Sequence, residues 1–296
     1  NLWVFNSRAK GVNLLKLNKN KEWENHYQKQ LVDNSGLGLP GLRNTFYNSK
    51  GLLCFVNTSY INPFVALYDT STDQLITHHN FVNQDGTPYN VNYINCACED
   101  KDGNIWIGTN LGLFYIDKNE VGQENATFNQ VKVPRNDGSN YADYLLTSIN
   151  ITHISVDGGN RKWISTTASG AFLISADNMT QIYNFKDDNS NILSNNIYST
   201  AINPQTGRVY FLTDKGLCSY LSNATEPTQE MTKDNVYAYP NPVTSDYTGL
   251  ITIVGLSYNA DVKITTSSGI LVAEGRSNGG SFTWDGCDKK GRRVAS

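Results

Sequence analysis

Apolar and polar residues alternate along most of this chain, in short runs. Residues 94–98, 151–156 and 197–202 are such runs, of the kind a strand with one covered face produces. Each stops at a turn rich in Asp, Asn or Gly, and another strand-like run follows. The stretch EDKDGNIWIGTNLGLFYID, from Glu99 to Asp117, has this form. Few segments sustain the 3.6-residue period of an amphipathic helix. The pattern predicts an all-β chain.

The stretch recurs. Around Trp163 the chain reads ITHISVDGGNRKWISTTASGAFLIS, and around Tyr210 it reads IYSTAINPQTGRVYFLTDKGLCSYL. From Leu42 it reads LRNTFYNSKGLLCFVNTS, and the opening NLWVFNSRAKGVNLLKLN is the same unit joined partway. The aligned positions Trp3, Cys54, Trp106, Trp163 and Tyr210 lie 51, 52, 57 and 47 residues apart. Gly112, Gly170 and Gly216 stand ahead of the third strand in three units. A period near 50 residues with three or four strands per unit is the signature of a β-propeller blade. About five blades are visible over residues 1–222, and the aligned side chain is expected to pack between neighbouring blades.

Asp100-Lys101-Asp102-Gly103-Asn104 reads as a hairpin turn, with Asx side chains capping local N–H groups and Gly103 taking a positive φ. Two carboxylates at this spacing also suit calcium. The other copies, Asp157-Gly158-Gly159, Asn203-Pro204-Gln205 and Asn48-Ser49-Lys50, keep what a turn needs and lose the paired carboxylates. The turn is therefore scaffold, and no metal site is expected.

Residues 223–235, NATEPTQEMTKDN, are polar and strand-poor, as a linker is. A different grammar fills residues 236–296, where strands are expected over 236–239, 249–254, 260–265, 270–276 and 280–284. Five strands in about 60 residues make a small Ig-like β-sandwich. Pro240 and Pro242 cannot donate to a ladder and mark an edge or the start of its first strand.

Composition narrows the function. Of 296 residues only 17% are charged, and 37 Asn, 24 Gly and 17 Tyr supply a largely uncharged surface. The net charge is −3 and Lys and Arg do not cluster, which argues against binding along a nucleic-acid backbone. No run approaches the roughly 18 apolar residues of a membrane span. The chain opens at Asn1 without Met or a signal peptide, as expected if a leader has been removed. Cys54, Cys96, Cys98, Cys218 and Cys287 form no CxxC or zinc spacing and are expected to be inert thiols. His26, the pair His78-His79, and His153 fall in different units without acidic or Cys partners at ligand spacing. No nucleophile elbow, phosphate loop or dinucleotide fingerprint is present, so no catalytic residue and no cofactor is expected. Tyr60, Tyr89, Tyr93, Tyr141 and Tyr144 cluster in loops around strand starts and are the candidate ligand contacts, as rings that stack on sugars.

Residues 100–109, DKDGNIWIGT, with Gly112-Leu113-Phe114, closely resemble the two-component-regulator propeller repeat, and the other copies are degenerate but in phase. Propellers of that family usually have seven blades. The chain is accordingly expected to be either the later part of a longer protein or a reduced propeller closed by its own N-terminal strand. The C-terminal region is similar to the sandwich of proteins handled by the type IX secretion system. Tyr239-Pro240-Asn241-Pro242, the hairpin at 262–272, and Trp284-Asp285-Gly286 before Gly291-Arg292 carry that likeness. In that family further strands follow, and the chain ends at Ser296 before them.

Together these resemblances imply a non-enzymatic, exported scaffold at the cell surface. Its partners would be sortase-like outer-membrane or surface secretion proteins, and lipopolysaccharide or another glycan. The alternative they imply is a periplasmic sensor region of a hybrid histidine kinase that binds polysaccharide fragments. Against that stand the Tyr-Pro-Asn-Pro and Trp-Asp-Gly motifs. A third reading, a secreted propeller enzyme acting on polysaccharide, would need convergent acid/base or metal residues, and none converge in the sequence.

Overall fold

Five antiparallel meanders follow one another along the chain. The structure is a computed structural model describing residues 2–135, 137–139 and 141–294. Asn1 and Ser296, which bound the two expected domains, lie outside the described residues. The first meander is β1 (Leu2–Ala9), β2 (Val12–Leu17) and β3 (Trp23–Asn25). The second is β4 (Leu42–Tyr47), β5 (Leu53–Asn57), β6 (Phe64–Asp69) and β7 (Gln74–His78). A small hairpin, β8 (Phe81–Val82) and β9 (Pro88–Tyr89), precedes the third, β10 (Ile94–Glu99), β11 (Ile105–Thr109) and β12 (Gly112–Ile116). A second hairpin, β13 (Lys132–Pro134) and β14 (Ala142–Tyr144), leads to the fourth, β15 (Ile151–Val156), β16 (Lys162–Thr166), β17 (Ala171–Ile174) and β18 (Gln181–Phe185). The fifth is β19 (Ile197–Ile202), β20 (Arg208–Thr213) and β21 (Gly216–Leu221). The chain divides into two compact units, Asn1–Ile154 with Ser165–Ser169, and Ser155–Ile164 with Gly170–Ser296.

The repeat is a matter of register. In β10–β11 Cys98 faces Trp106, in β4–β5 Phe46 faces Cys54, and in β19–β20 Ala201 faces Tyr210. Cys54, Trp106 and Tyr210 therefore occupy one site of the second strand, whereas Trp3 lies on the first strand of its meander. Before it, Asp100 N–H bonds Asn104 C=O at 2.9 Å, Asn48 N–H bonds Leu52 C=O at 3.0 Å, and Asn203 N–H bonds Arg208 C=O at 2.8 Å. The last loop holds one residue more, which accounts for the offset of seven rather than six before Tyr210.

In the first unit the face carrying the aligned residue packs on the alternate face of the next meander. Trp3 and Phe5 lie against a core of Phe55, Phe64 and Tyr68, with the Phe5 and Phe55 rings 4.8 Å apart. Cys54 and Val56 share a core with Ile105, Ile107 and Phe114. Gly108 lies between Cys96 and Ile151. A Cβ there would come within 2.6 Å of both side chains, so only glycine lets these strands approach. Burial pushes the Cys54 and Cys96 thiols up to about 12, consistent with inert, core-filling cysteines.

The second unit repeats this packing, with Trp163, Leu173 and Phe185 sharing a core with Val209 and Phe211. Its C-terminal part holds β22 (Tyr237–Tyr239), β23 (Ile251–Val254), β24 (Asp261–Thr265), β25 (Leu271–Arg276) and β26 (Ser281–Trp284). These pair as a three-stranded sheet in the order β22-β23-β26 and a separate β24-β25 hairpin. All five lie within two residues of their predicted bounds. Residues 223–235 are strand-poor as predicted, yet they are bonded on both sides. Glu226 N–H reaches Pro204 C=O at 2.6 Å, Gly280 N–H reaches Thr225 C=O at 2.8 Å, and Thr228 N–H reaches Leu256 C=O at 2.9 Å.

Candidate binding rim

One hydrogen bond recurs in the first unit and defines a rim. The residue after each second strand donates its N–H to the carbonyl just before or at the start of the first. The pairs are Thr58 to Gly41 at 2.9 Å, Asn110 to Tyr93 at 3.1 Å, and Thr167 to Asn150 at 3.0 Å. Tyr60 and Tyr93 stand on this rim, both exposed, with ring centroids 6.4 Å apart. The Asn110 carboxamide oxygen accepts from both Asn92 and Tyr93 N–H, at 3.1 and 2.9 Å, and so fixes the backbone under Tyr93.

The two inserted hairpins dock side by side. Gln84 Nε2 donates to Gln130 C=O at 2.7 Å, and Gln130 N–H donates back to Gln84 Oε1 at 2.9 Å. Asp85 then takes Lys132 Nζ at 2.7 Å and the Tyr144 hydroxyl. Arg135 grips Asp143 through Nε at 2.9 Å and Nη2 at 2.6 Å, and its guanidinium lies 6.0 Å from the centre of the exposed Tyr141 ring. The hydrogen bonds from Lys132 and Tyr144 hold the Asp85 carboxyl below its ordinary range, and the same contact raises Tyr144. Asp143 is lowered by Arg135. These groups keep their usual charges near neutrality, so the surface presents rings, donors and acceptors to a ligand.

Of the five sequence-predicted tyrosines, the structure pairs Tyr60 with Tyr93 and puts Tyr141 and Tyr144 on one hairpin. Tyr89 is different, since its ring packs edge-on against Phe114 at 5.2 Å as part of the core margin. Sequence reasoning missed Asp85, Lys132, Arg135 and Asp143. The only trace of them is the Asp-Gly turn signal at Asp85-Gly86.

It also missed the surroundings of His26, whose ring is 3.0 Å from the Tyr68 hydroxyl, 3.3 Å from Asp73 and 3.5 Å from Glu24. These three neighbours come from two meanders, which no local spacing reveals. Among the described residues no three His, Cys, Asp or Glu side chains group as metal ligands. No helix among them is long and apolar enough to cross a membrane.

Comparison with known proteins fits this geometry. The two-component regulator propeller family matches residues 88–111. The chain is similar to PorZ, an essential bacterial surface component of the type-IX secretion system of Porphyromonas gingivalis, with 25% identity and a TM-score of 0.67. That likeness covers 99% of this chain and 40% of PorZ. It also shares its fold with the extracellular domain of BT3049 from B. thetaiotaomicron, described as a hybrid two component system. Here the identity is 17% and the TM-score 0.50, over 96% of this chain and 37% of that one. The chain thus spans well under half the length of either. No curated protein sequence matches it. The chain is thus all-β, its residues 88–111 match the two-component regulator propeller repeat, and its fold resembles that of PorZ.

Proposed function

We propose that the chain is a non-enzymatic, exported binding scaffold of a type IX secretion system, acting at the cell surface. On this reading residues 1–222 are propeller, with about five blades visible, residues 223–235 are the connecting segment, and residues 236–296 are an Ig-like sandwich of the type IX C-terminal kind. The observation that carries it is the likeness to PorZ over 99% of the chain, which takes in both the repeats and the C-terminal strands. The rim bearing Tyr60, Tyr93, Tyr141 and Tyr144 contacts a sortase-like partner or lipopolysaccharide, with Tyr89 supporting it from the core side. Neutral rings beside fixed charge pairs suit a glycan, whose C–H faces stack on aromatics while its hydroxyls meet Asp85, Lys132 and Arg135.

The test combines surface labelling of cells with co-purification of sortase and lipopolysaccharide on the native protein. Tyr60→Ala/Tyr93→Ala and Tyr141→Ala/Arg135→Ala are compared with the parent. Surface exposure with a loss of partner in either double variant supports the reading. A periplasmic protein in which both doubles keep every partner overturns it. The fold shared with the BT3049 extracellular domain favours a second reading, a sensor region of a hybrid two-component system. That reading requires an inner-membrane location and binding of polysaccharide fragments.

A further inference from the structure

The turn between β15 and β16 is built unlike its counterparts. At the other turns the residues after the Asx position, Ser49 and Lys50, Lys101 and Asp102, Pro204 and Gln205, are exposed. At the fourth, Gly158, Gly159, Asn160 and Arg161 are all buried. What covers them is the chain's own continuation within the second unit. Segment 222–226 lies against the turn, and the loop 278–280 before β26 is bonded to that segment.

The fit is made largely of backbone. A Cβ on Gly158 would stand 1.8 Å from the Thr225 carbonyl oxygen, and one on Gly279 would stand 2.2 Å from the same atom. No side chain is compatible with either approach. Thr225 forms a parallel bridge with Gly279, and its C=O accepts from Gly280 N–H at 2.8 Å. Arg161 completes the contact. Asp157 holds its Nε, while Nη1 and Nη2 donate to Asn223 Oδ1 and Ser222 Oγ, each at 2.8 Å. Ser281, buried at the start of β26, donates its hydroxyl to Asn223 C=O at 2.8 Å. The fourth turn, segment 222–226 and the C-terminal strands thus meet at one place, around a buried guanidinium that is fully bonded.

The covalent connection from this junction to β22 takes a different course. Residues 229–234 are all exposed. Their hydrogen bonds close within the loop: Thr232 N–H to Asn235 Oδ1 at 2.8 Å, Asn235 Nδ2 to Glu230 C=O at 2.8 Å, and Val236 N–H to Thr232 C=O at 3.1 Å. Exposed loops of this kind are where a chain is cut most readily. We propose that the turn 157–161, with segment 222–226 laid on it, is a docking site for the chain's own C-terminal strands, and that it keeps residues 236–296 in place when the connection at 229–234 is severed. The C-terminal strands are then a fixed wall of the protein, whereas a region held by its linker alone would leave once the linker is cut. That attachment is independent of which partner the rim takes.

The test cuts the full chain. A sequence recognised by a site-specific protease is inserted between Thr232 and Lys233, and the cut protein is passed over a sizing column under native conditions. The expected result is complete cleavage, with the pieces 1–232 and 233–296 eluting together. Gly279→Ala sets a methyl group against the Thr225 carbonyl and should speed separation of the cut pieces by about tenfold, since losses at an interface act mainly on its dissociation rate. Asn223→Ala leaves every backbone group in place and removes one acceptor from Arg161, so it reads the same contact should Gly279→Ala not fold. Its effect should be smaller and in the same direction. Elution of the cut parent as two separate pieces overturns the proposal. So does a chain the protease cannot cut, because the loop would then be covered. Folded variants whose cut pieces stay together as long as those of the parent would place the attachment elsewhere and overturn it equally.

Discussion

In the third meander Asp100 accepts hydrogen bonds from Asp102 and Asn104 N–H at 3.0 and 2.9 Å, and from the Trp106 indole at 2.8 Å. In the fifth, Asn203 accepts from Gln205 and Thr206 N–H at 3.0 and 3.1 Å, and Tyr210 on the next strand is 36% exposed. Both turns work by the same Asx device. They differ in what the second strand faces. Trp106 is buried, and an indole N–H taken from water needs an acceptor, which a turn carboxylate supplies. Tyr210 keeps access to solvent and asks nothing of the turn. The Asp–Trp pair is thus the mark of a covered blade face, and the Asn–Tyr pair that of a face left open.

The sharpest way to break this comparison is to remove the carboxylate where it is most deeply committed. Asp157 accepts from Gly159 and Arg161 N–H at 2.9 and 3.0 Å, from Arg161 Nε at 2.8 Å and from the Trp163 indole at 3.0 Å. Its side chain is fully buried and that of Arg161 nearly so. Asp157→Ala strands a buried guanidinium and an indole donor, and should cost about 3–5 kcal/mol. Asn203→Ala loses two turn bonds in solvent and should cost about 1 kcal/mol. Denaturant unfolding of both variants decides. Equal losses would mean that the turn alone, and not the pairing with a buried indole, sets the value of the site.

A smaller loss is expected at the indole itself. Trp106→Phe keeps an aromatic ring in the slot, stacked on Tyr115 with centroids now 5.0 Å apart, but leaves Asp100 without that donor. The expected cost is about 1–3 kcal/mol, measured by the same unfolding curves. Asp100→Asn in the same background should recover part of it, because an uncharged acceptor is less costly to leave unpaired.

Acid should weaken the covered regions first. Burial lowers the pKa of His78 and His153 below the ordinary histidine value. The unfolded chain then binds protons that the folded chain refuses. Stability is complete above about pH 6.5 and falls as pH drops through the lowered folded values. Hydrogen bonds from Lys16 and Asn18 bring Glu24 down to about 2, and the Ser71 hydroxyl and N–H do the same for Asp69. Their contribution is complete above the unfolded carboxylate range and is lost only below it. The decline below about pH 6.5 should therefore flatten in His78→Gln. A slope unchanged by that substitution would assign the loss to other groups.

The repeat, its turns and the C-terminal strands were legible because they are local. Period, turn residues and alternation lie within a few residues of one another, and register then follows. The Asp–Trp bond was also within reach, since the spacing of six recurs at 100/106 and 157/163 and fails where the slot holds Tyr. What the sequence hid is non-local. Asp85 meets Lys132 and Tyr144 across 47 and 59 positions, between hairpins of unpredictable length. Tyr89 looks like its four neighbours in composition, and only the packing against Phe114 separates it from them.

The smallest expected effect tests the open face from the other side. If a covered neighbour is what makes Asp and Trp worth keeping, then installing them where none of the described residues covers the slot should achieve little. Tyr210→Trp with Asn203→Asp recreates the pair on β20, whose outward side chains Tyr210 and Leu212 are exposed. The loop there is one residue longer, and water satisfies an indole as well as a carboxylate does. Stability should change by no more than about 0.5 kcal/mol, the range of ordinary surface substitutions. A gain well beyond that would mean that the Asp–Trp pair stabilises a hairpin by itself, and burial would then be a consequence of the motif instead of its cause.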